Sequence, residues 1–198
     1  RDYAHQPCSW RLDHTLQEEL EEQRIVGIQN VDTRAIVRHL RTKGSMLAGI
    51  FSGDSLISED EMLEKVRSQP PAAGQDLASE VTTQEMYTLD PIGERRFTIA
   101  AIDLGIKANT PRNFVNRGLR VHMMPAATTW EEIEELNVDG LFFSNGPGDP
   151  ITATAPIALT KAALENEMPL FGICFGNQIF GRALGLDTYK MKFGHRGI

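Results

Sequence analysis

The stretch that decides the fold is Phe-Gly-Ile-Cys-Phe-Gly-Asn-Gln at residues 171–178. It follows an apolar run over residues 169–173 and precedes an apolar helical face over residues 179–184 that ends at Gly185. Glycines placed two positions before and after a nucleophile are typical of a nucleophile elbow, the sharp turn from a buried strand into a helix. The pattern therefore predicts that Cys174 lies at the carboxyl edge of a sheet, where the N-terminus of the helix stabilises a thiolate. The alternative is a small buried cysteine, which would be inert.

The residues before this elbow alternate between apolar runs and helical patterns. Predicted strands cover residues 97–102, 121–124, 140–143 and 169–173, and predicted helices cover residues 110–116, 131–136 and 156–166. Uninterrupted apolar strands separated by helices are typical of strands buried on both faces. The sequence therefore predicts an α/β fold whose C-terminal part is a doubly wound, mostly parallel sheet.

The first third of the chain predicts a smaller domain of mixed α and β structure. Helices are predicted over residues 13–23, after Asp32 and after Ser58, and short strands at residues 25–28 and 46–51. The linker-like Ser-Gln-Pro-Pro-Ala-Ala-Gly begins at residue 68, and no strong period follows it up to residue 96. We therefore expect an N-terminal domain over residues 1–90, a linker near residues 68–95 with the boundary near Asp90, and a second domain over residues 96–198.

The helix after Asp32 has two distinct faces. Ile36, Val37 and Leu40 are expected to point inward, and the basic row of Arg34, Arg38 and Arg41 outward. The row is either a docking surface or a solvated helix face.

The chain opens at Arg1 and closes at Ile198 without a terminal helix. We expect both domains to be parts of a longer protein.

Composition narrows the classes of function. The 198 residues have a formal net charge of -7, which argues against a nucleic-acid partner because binding phosphates needs a basic face. No apolar run approaches the roughly 20 residues of a membrane span. Two cysteines, far apart in sequence, are typical of a protein from the reducing cytoplasm.

A second element of the predicted site is the loop Ser-Asn-Gly-Pro-Gly-Asp-Pro at residues 144–150. It follows a predicted strand, so it lies at the same edge of the sheet as Cys174. Its backbone N–H groups can donate to an oxyanion, as can the N–H of Phe175 directly after the nucleophile. The alternative is an ordinary turn, since these residue types favour turns. The loop is not a phosphate-binding Walker A loop, because no Gly-Lys-Ser/Thr follows.

These motifs resemble the class I (triad) glutamine amidotransferase family, and the rest of the chain is similar to the small-subunit family of carbamoyl phosphate synthetases. The segments that show the likeness are residues 25–34, 40–44, 77–83, 103–107, 145–150, 172–178 and 192–197. The resemblance implies that Cys174 is the nucleophile that attacks the carboxamide of L-glutamine. It further implies oxyanion donors at the N–H groups of Gly146 and Phe175 and substrate contacts at Gly148 and Gln178.

Two positions depart from the family pattern, and one expected group is absent. Phe175 is often leucine in the family, which leaves the backbone N–H in place, and Asn177 is often histidine and is expected to face helix packing. The family's general base is a histidine well after the nucleophile, oriented by a glutamate. Here only His195 follows Cys174, with no acidic residue after it, and it matches a different family segment. We therefore expect the catalytic His and Glu to be missing from this chain.

The resemblance also implies partners and cofactors. Ammonia is expected to pass to a large synthetase subunit, on which ATP and Mg²⁺ bind, and no cofactor or metal is expected in this chain. Two other classes stay open: another class I amidotransferase or a cysteine hydrolase, and a non-catalytic interaction module that keeps the elbow. The Val-Asp-Thr-Arg segment at residues 31–34 argues against the first of these.

Overall fold

The computed structural model describes residues 8–9, 12–71 and 73–194. It divides the chain into two compact units, one formed by residues 1–70 with 191–198 and the other by residues 71–190. The first unit contains α1 (Leu16–Glu22), α2 (Thr33–Lys43), a 3₁₀ turn (Gly53–Ser55) and α3 (Glu59–Arg67).

Each helix of the first unit begins at a polar cap. The side chains of Thr15, Asp32 and Ser58 each accept the backbone N–H three residues on, at 3.2, 2.9 and 3.3 Å. Such caps satisfy one of the donors that a helix start leaves unpaired. The predicted helix starts after Asp32 and Ser58 are confirmed, and Gly44 ends α2 as its C-cap.

The strands predicted in the first unit do not form. Residues 25–28 and 46–51 are not assigned to strands, because no other segment of the unit's described residues pairs with them. The prediction that the apolar face of α2 points inward is also wrong. Ile36, Val37 and Leu40 are 49%, 53% and 36% exposed. The apolar pattern is present, but the described residues of this unit do not cover it.

The second unit is a five-stranded sheet with helices on both faces. Its elements are α4 (Ala78–Val81), β1 (Tyr87–Leu89), β2 (Phe97–Ile102), α5 (Asn109–Val115), β3 (Leu119–Met124), α6 (Trp130–Leu136), β4 (Gly140–Phe143), a 3₁₀ turn (Pro150–Thr152), α7 (Thr154–Glu165), β5 (Leu170–Gly172) and α8 (Phe175–Ala183). The strand order is β1-β3-β2-β4-β5. Strands β2 to β5 are parallel, and β1 pairs antiparallel with β3. The predicted mostly parallel sheet is confirmed.

The core lies on both faces of this sheet. On one face, Ile102 and Phe143 belong to a buried cluster with Ile133 of α6, Leu159 of α7 and Ile179 of α8. On the other face, the ring of Phe114 from α5 meets that of Phe142 edge-on, with centroids 5.0 Å apart. Alternate residues of the same strands are thus buried on opposite sides, which explains their continuous apolar sequences.

Residues 73–96, which show no clear hydrophobic period, belong to the second unit. The units divide between residues 70 and 71, ahead of the boundary predicted near Asp90. Hydrogen bonds hold this stretch: the N–H of Gly74 donates to the Asp149 carboxylate at 2.9 Å, and the N–H of Asp149 donates to the Gln75 carbonyl at 3.1 Å. β1 then adds an edge strand to the sheet. Polar contacts of this kind leave no hydrophobic period in the sequence.

Among the described residues, no helix has the length and apolar character of a membrane span.

Candidate functional site

Cys174 lies in the sharp connection between β5 and α8. Its backbone has φ 55° and ψ −108°, in the left-handed half of the map that residues other than glycine rarely adopt. Such a conformation costs on the order of 1–3 kcal/mol and persists only where the surrounding structure enforces it. The Cys174 side chain is exposed, so it is not the buried, inert cysteine considered as the alternative.

A close approach between β4 and the start of α8 enforces this turn. The Ile173 N–H donates to the Phe143 carbonyl at 3.1 Å, and the Gly176 N–H donates to the Ser144 carbonyl at 3.1 Å. A Cβ added at Gly176 would overlap the carbonyl oxygen of Phe143. The second glycine of the elbow is therefore required because the helix touches the backbone of the neighbouring strand.

The loop over residues 144–150 reaches the same edge of the sheet. Gly146 lies against the carbonyl of Leu104, which a Cβ at position 146 would overlap. No described residue accepts a hydrogen bond from the N–H of Gly146 or from that of Phe175. Phe175 is the first residue of α8, so its N–H is also one of the donors that a helix start leaves unpaired. Two backbone donors, one in this loop and one at the start of α8, therefore have no acceptor among the described residues, and their role as oxyanion donors stays a prediction.

Ser144 holds this loop in place, a role that the sequence reasoning missed. Its side chain is fully buried, and its Oγ accepts the Leu104 N–H at 2.9 Å and donates to the Asn145 carbonyl at 2.8 Å. The Asn145 side-chain amide donates to the Gly105 carbonyl at 2.9 Å. These bonds join the loop after β4 to the loop after β2. The sequence did contain a signal for this role, because Ser144 directly follows a four-residue apolar strand. A polar group buried at such a position needs hydrogen-bond partners.

Asp103 performs the corresponding task for the loop after β2, and it too was missed. Its largely buried carboxylate accepts the N–H groups of Gly105 and Ile106 at 2.9 Å and that of Thr83 at 3.0 Å. Burial, and then the charge of this carboxylate, raises the pKa of Tyr87. The segment before β1 is thus fixed to the loop on which Gly146 rests.

Similarity to known proteins agrees with this geometry. Residues 100–198 match the family model described as glutamine amidotransferase class-I. The chain belongs to the class I glutamine amidotransferase family. Residues 1–50 match the model of the carbamoyl-phosphate synthase small chain, CPSase domain.

Several curated proteins that share one name are similar to this chain over its whole length. The carbamoyl phosphate synthase small chain of Mycolicibacterium paratuberculosis is 58% identical over 198 residues, which are all of this chain and 53% of that protein. Its namesakes from Corynebacterium diphtheriae and Streptomyces avermitilis are 57% and 54% identical, over all of this chain and 52% of each relative. The chain therefore spans about half the length of the curated relatives it matches.

The remaining predicted substrate contacts lie on α8 and in the loop after β4. Gln178 is exposed in the first turn of α8, and its N–H donates to the Cys174 carbonyl at 3.1 Å. Gly148 is exposed in the loop after β4 with φ 97°. Asn177 is exposed, so the expectation that it faces helix packing is wrong. The binding roles of Gly148 and Gln178 stay predictions.

The described residues do not include a histidine paired with Cys174. His195 lies outside the described residues, as does His5. His14 and His39 are exposed in the first unit, and His122 lies on β3, where its Nδ1 is 2.8 Å from the Thr88 hydroxyl. Within the described ranges, no group of three or more His, Cys, Asp or Glu side chains could hold a metal ion.

Proposed function

We propose that the protein is the glutamine-hydrolysing subunit of a carbamoyl phosphate synthetase. It converts L-glutamine to glutamate and supplies ammonia to a large synthetase subunit that makes carbamoyl phosphate for pyrimidine and arginine biosynthesis. The observation that supports this most is the exposed Cys174 thiol at a strained elbow, beside two backbone N–H groups with no partner among the described residues. The names of the most similar relatives support the synthetase assignment.

The proposed reaction uses Cys174 as the nucleophile. Its thiolate attacks the carboxamide carbon of glutamine, and the N–H groups of Gly146 and Phe175 bind the oxyanion of the tetrahedral intermediate. The carbon–nitrogen bond then breaks, and the leaving nitrogen takes a proton and departs as ammonia. Water hydrolyses the resulting glutamyl thioester, which releases glutamate and restores the thiol. The family supplies the proton from a histidine, and we assign this role to no described residue.

The proposed partner performs the chemistry that needs a nucleotide. We assign ATP and Mg²⁺ to the large subunit, together with bicarbonate, and no cofactor to this chain. Gly148 and Gln178 are proposed to contact the glutamine substrate, since both lie at the edge of the sheet that holds Cys174. We place the complex in the cytoplasm, where its substrates occur and two unpaired cysteines remain reduced.

The test replaces the proposed nucleophile Cys174 and supplies ammonia, the product of glutamine hydrolysis, separately. Cys174→Ser in the complete synthetase should abolish carbamoyl phosphate formation from glutamine and leave formation from added ammonia intact, because serine gives no thiolate. Cys8→Ser is the matched control, since Cys8 is the other exposed cysteine. It should leave both activities unchanged. Glutamine-dependent activity of Cys174→Ser within about tenfold of the parent would contradict the assignment of the nucleophile.

A further inference from the structure

A concave site lies at the end of the sheet opposite Cys174. It is a cleft of about 410 Å³ at the amino-terminal ends of β2 and β3. Its lining includes three arginines, Arg95, Arg96 and Arg120, together with His122. Its volume is in the range of small-molecule sites. A basic cleft of this size is unexpected in a protein with a net charge of -7.

Two of the basic side chains come from an interior strand. β3 lies between β1 and β2, and its residues Arg120 and His122 are two positions apart, so they point to the same face of the sheet. Met124, two residues further on that face, belongs to the buried cluster. Thr98 of β2 is opposite Arg120 in register and also lines the cleft. The same sheet face is thus apolar where helices cover it and basic where it is open.

Two carboxylates near this cleft have partners. Asp90 forms an ion pair with Arg120 at 2.7 Å, and the Asp139 carboxylate accepts the Thr98 N–H at 2.7 Å. In contrast, no carboxylate of the described residues lies within 4.0 Å of the guanidinium groups of Arg95 and Arg96. Burial, and then the charge of Arg120, lowers the pKa of the neighbouring His122. The lining of the cleft thus contains three arginines and one carboxylate, that of Asp139.

We propose that this cleft binds a small phosphate-bearing anion, with Arg95 and Arg96 as its main ligands and Arg120 as a third. The planar guanidinium group donates two parallel hydrogen bonds to a phosphate, and several arginines around one cleft match the several oxygens of such a ligand. The side chains of Arg95 and Arg96 are exposed and can turn toward the ligand. The proposal does not depend on the chemistry of Cys174.

The test measures binding of inorganic pyrophosphate to the full-length protein by titration calorimetry at low ionic strength. The double variant Arg95→Gln/Arg96→Gln should weaken binding at least about tenfold, because each charged hydrogen bond to an anion contributes substantially. Glutamine keeps the Cβ, Cγ and Cδ positions and the backbone N–H of residue 96, which donates to the Gly118 carbonyl at 2.7 Å. The fold should therefore survive.

Three further variants separate the cleft from general surface charge and from the site at Cys174. Arg112→Gln/Arg117→Gln removes the same charge from two exposed residues outside the cleft, one on α5 and one just after it, and should change the affinity less than about threefold. Asp90→Asn should tighten binding severalfold, because it releases the guanidinium of Arg120 from its ion pair. Cys174→Ser should bind pyrophosphate as the parent does, whether or not it hydrolyses glutamine.

Three results would overturn the proposal. The first is no measurable binding of pyrophosphate at millimolar concentration. The second is an equal loss of affinity in the two double variants, which would show that only net charge matters. The third is binding of a polyglutamate peptide that pyrophosphate cannot displace, which would make the cleft a contact for an acidic protein segment.

Discussion

Replacing Ser144 by alanine removes a single hydroxyl from the support of the loop over residues 144–150. The Leu104 N–H loses its acceptor at a position where the serine side chain is fully buried, and the Asn145 carbonyl loses a donor. Leaving a buried donor unpaired costs about 1–3 kcal/mol, and alanine keeps the Cβ, so little packing is lost. We expect the free energy of unfolding to fall by that amount. A domain of ordinary stability remains folded after such a loss.

The same change should also reduce catalysis. The Ser144 hydroxyl fixes the peptide that immediately precedes Gly146, whose N–H is a proposed oxyanion donor. Complete loss of one such donor lowers kcat by about 10²–10³-fold. Ser144→Ala only loosens the donor, so the expected fall in kcat does not exceed this range. Because the donor acts mainly on the transition state, kcat should fall while KM changes little.

The assay combines urea unfolding with steady-state glutamine hydrolysis by the full-length protein in its complex. Thr160→Val is the matched control, since Thr160 is equally buried and its hydroxyl donates to the Pro156 carbonyl within α7 at 2.7 Å. The control should lose some stability and retain kcat. If Ser144→Ala kept kcat within about threefold of the parent, or if Thr160→Val lost as much activity, the proposed support of the loop would be refuted.

Three further predictions concern other parts of the chain. Asp103→Asn should lower the free energy of unfolding by about 2–4 kcal/mol in urea titrations, because an amide cannot accept all three N–H groups that the carboxylate accepts; an unchanged urea midpoint would contradict this. Charge reversal of the basic row on α2 should weaken binding to the proposed large subunit, and more so at low salt; equal binding at low ionic strength would favour a merely solvated helix face. The pKa of His122 is lowered by burial and then by Arg120, against the opposing charge of Asp90, so the folded state binds fewer protons than the unfolded chain. Stability should therefore decrease as the pH falls below about 6.5, and His122→Gln should flatten that dependence in urea unfolding between about pH 5 and 7.5.

The second unit could be predicted from the sequence because its signals are local and agree with one another. Four apolar strands, the capping box of Thr129 with Glu132 and the glycines around Cys174 each point to the same parallel sheet. β1 was not predicted: its three residues show no long apolar run, and its place is set by pairing with β3. The prediction also failed at residues 25–28 and 46–51, since apolar sequence cannot specify a strand without a partner for its backbone.

For the site, the sequence indicated the elbow but not its supports. Cys174, Gly146 and Phe175 belong to motifs whose glycine spacing has a local backbone meaning. The contacts of Ser144 and Asp103 join segments 20 to 40 residues apart in the chain, and no pattern within one segment reveals such a bond. The basic cleft was missed for the same reason, since Arg95 and Arg120 come together only through the register of β2 and β3.

At the elbow, the residue that maintains the turn differs from the residue that carries the proposed reactive atom, and this affects how such proteins can diverge. The tight turn depends on Gly176, which cannot gain a side chain without moving the strand beside it. Residue 174 carries the proposed reactive atom, in a conformation with φ 55° that disfavours β-branched side chains. A single substitution at residue 174 would therefore remove the proposed activity and leave the architecture intact, whereas a substitution at residue 176 would disrupt both. Over evolutionary time, we expect inactive descendants of this fold to lose the cysteine before they lose the glycine.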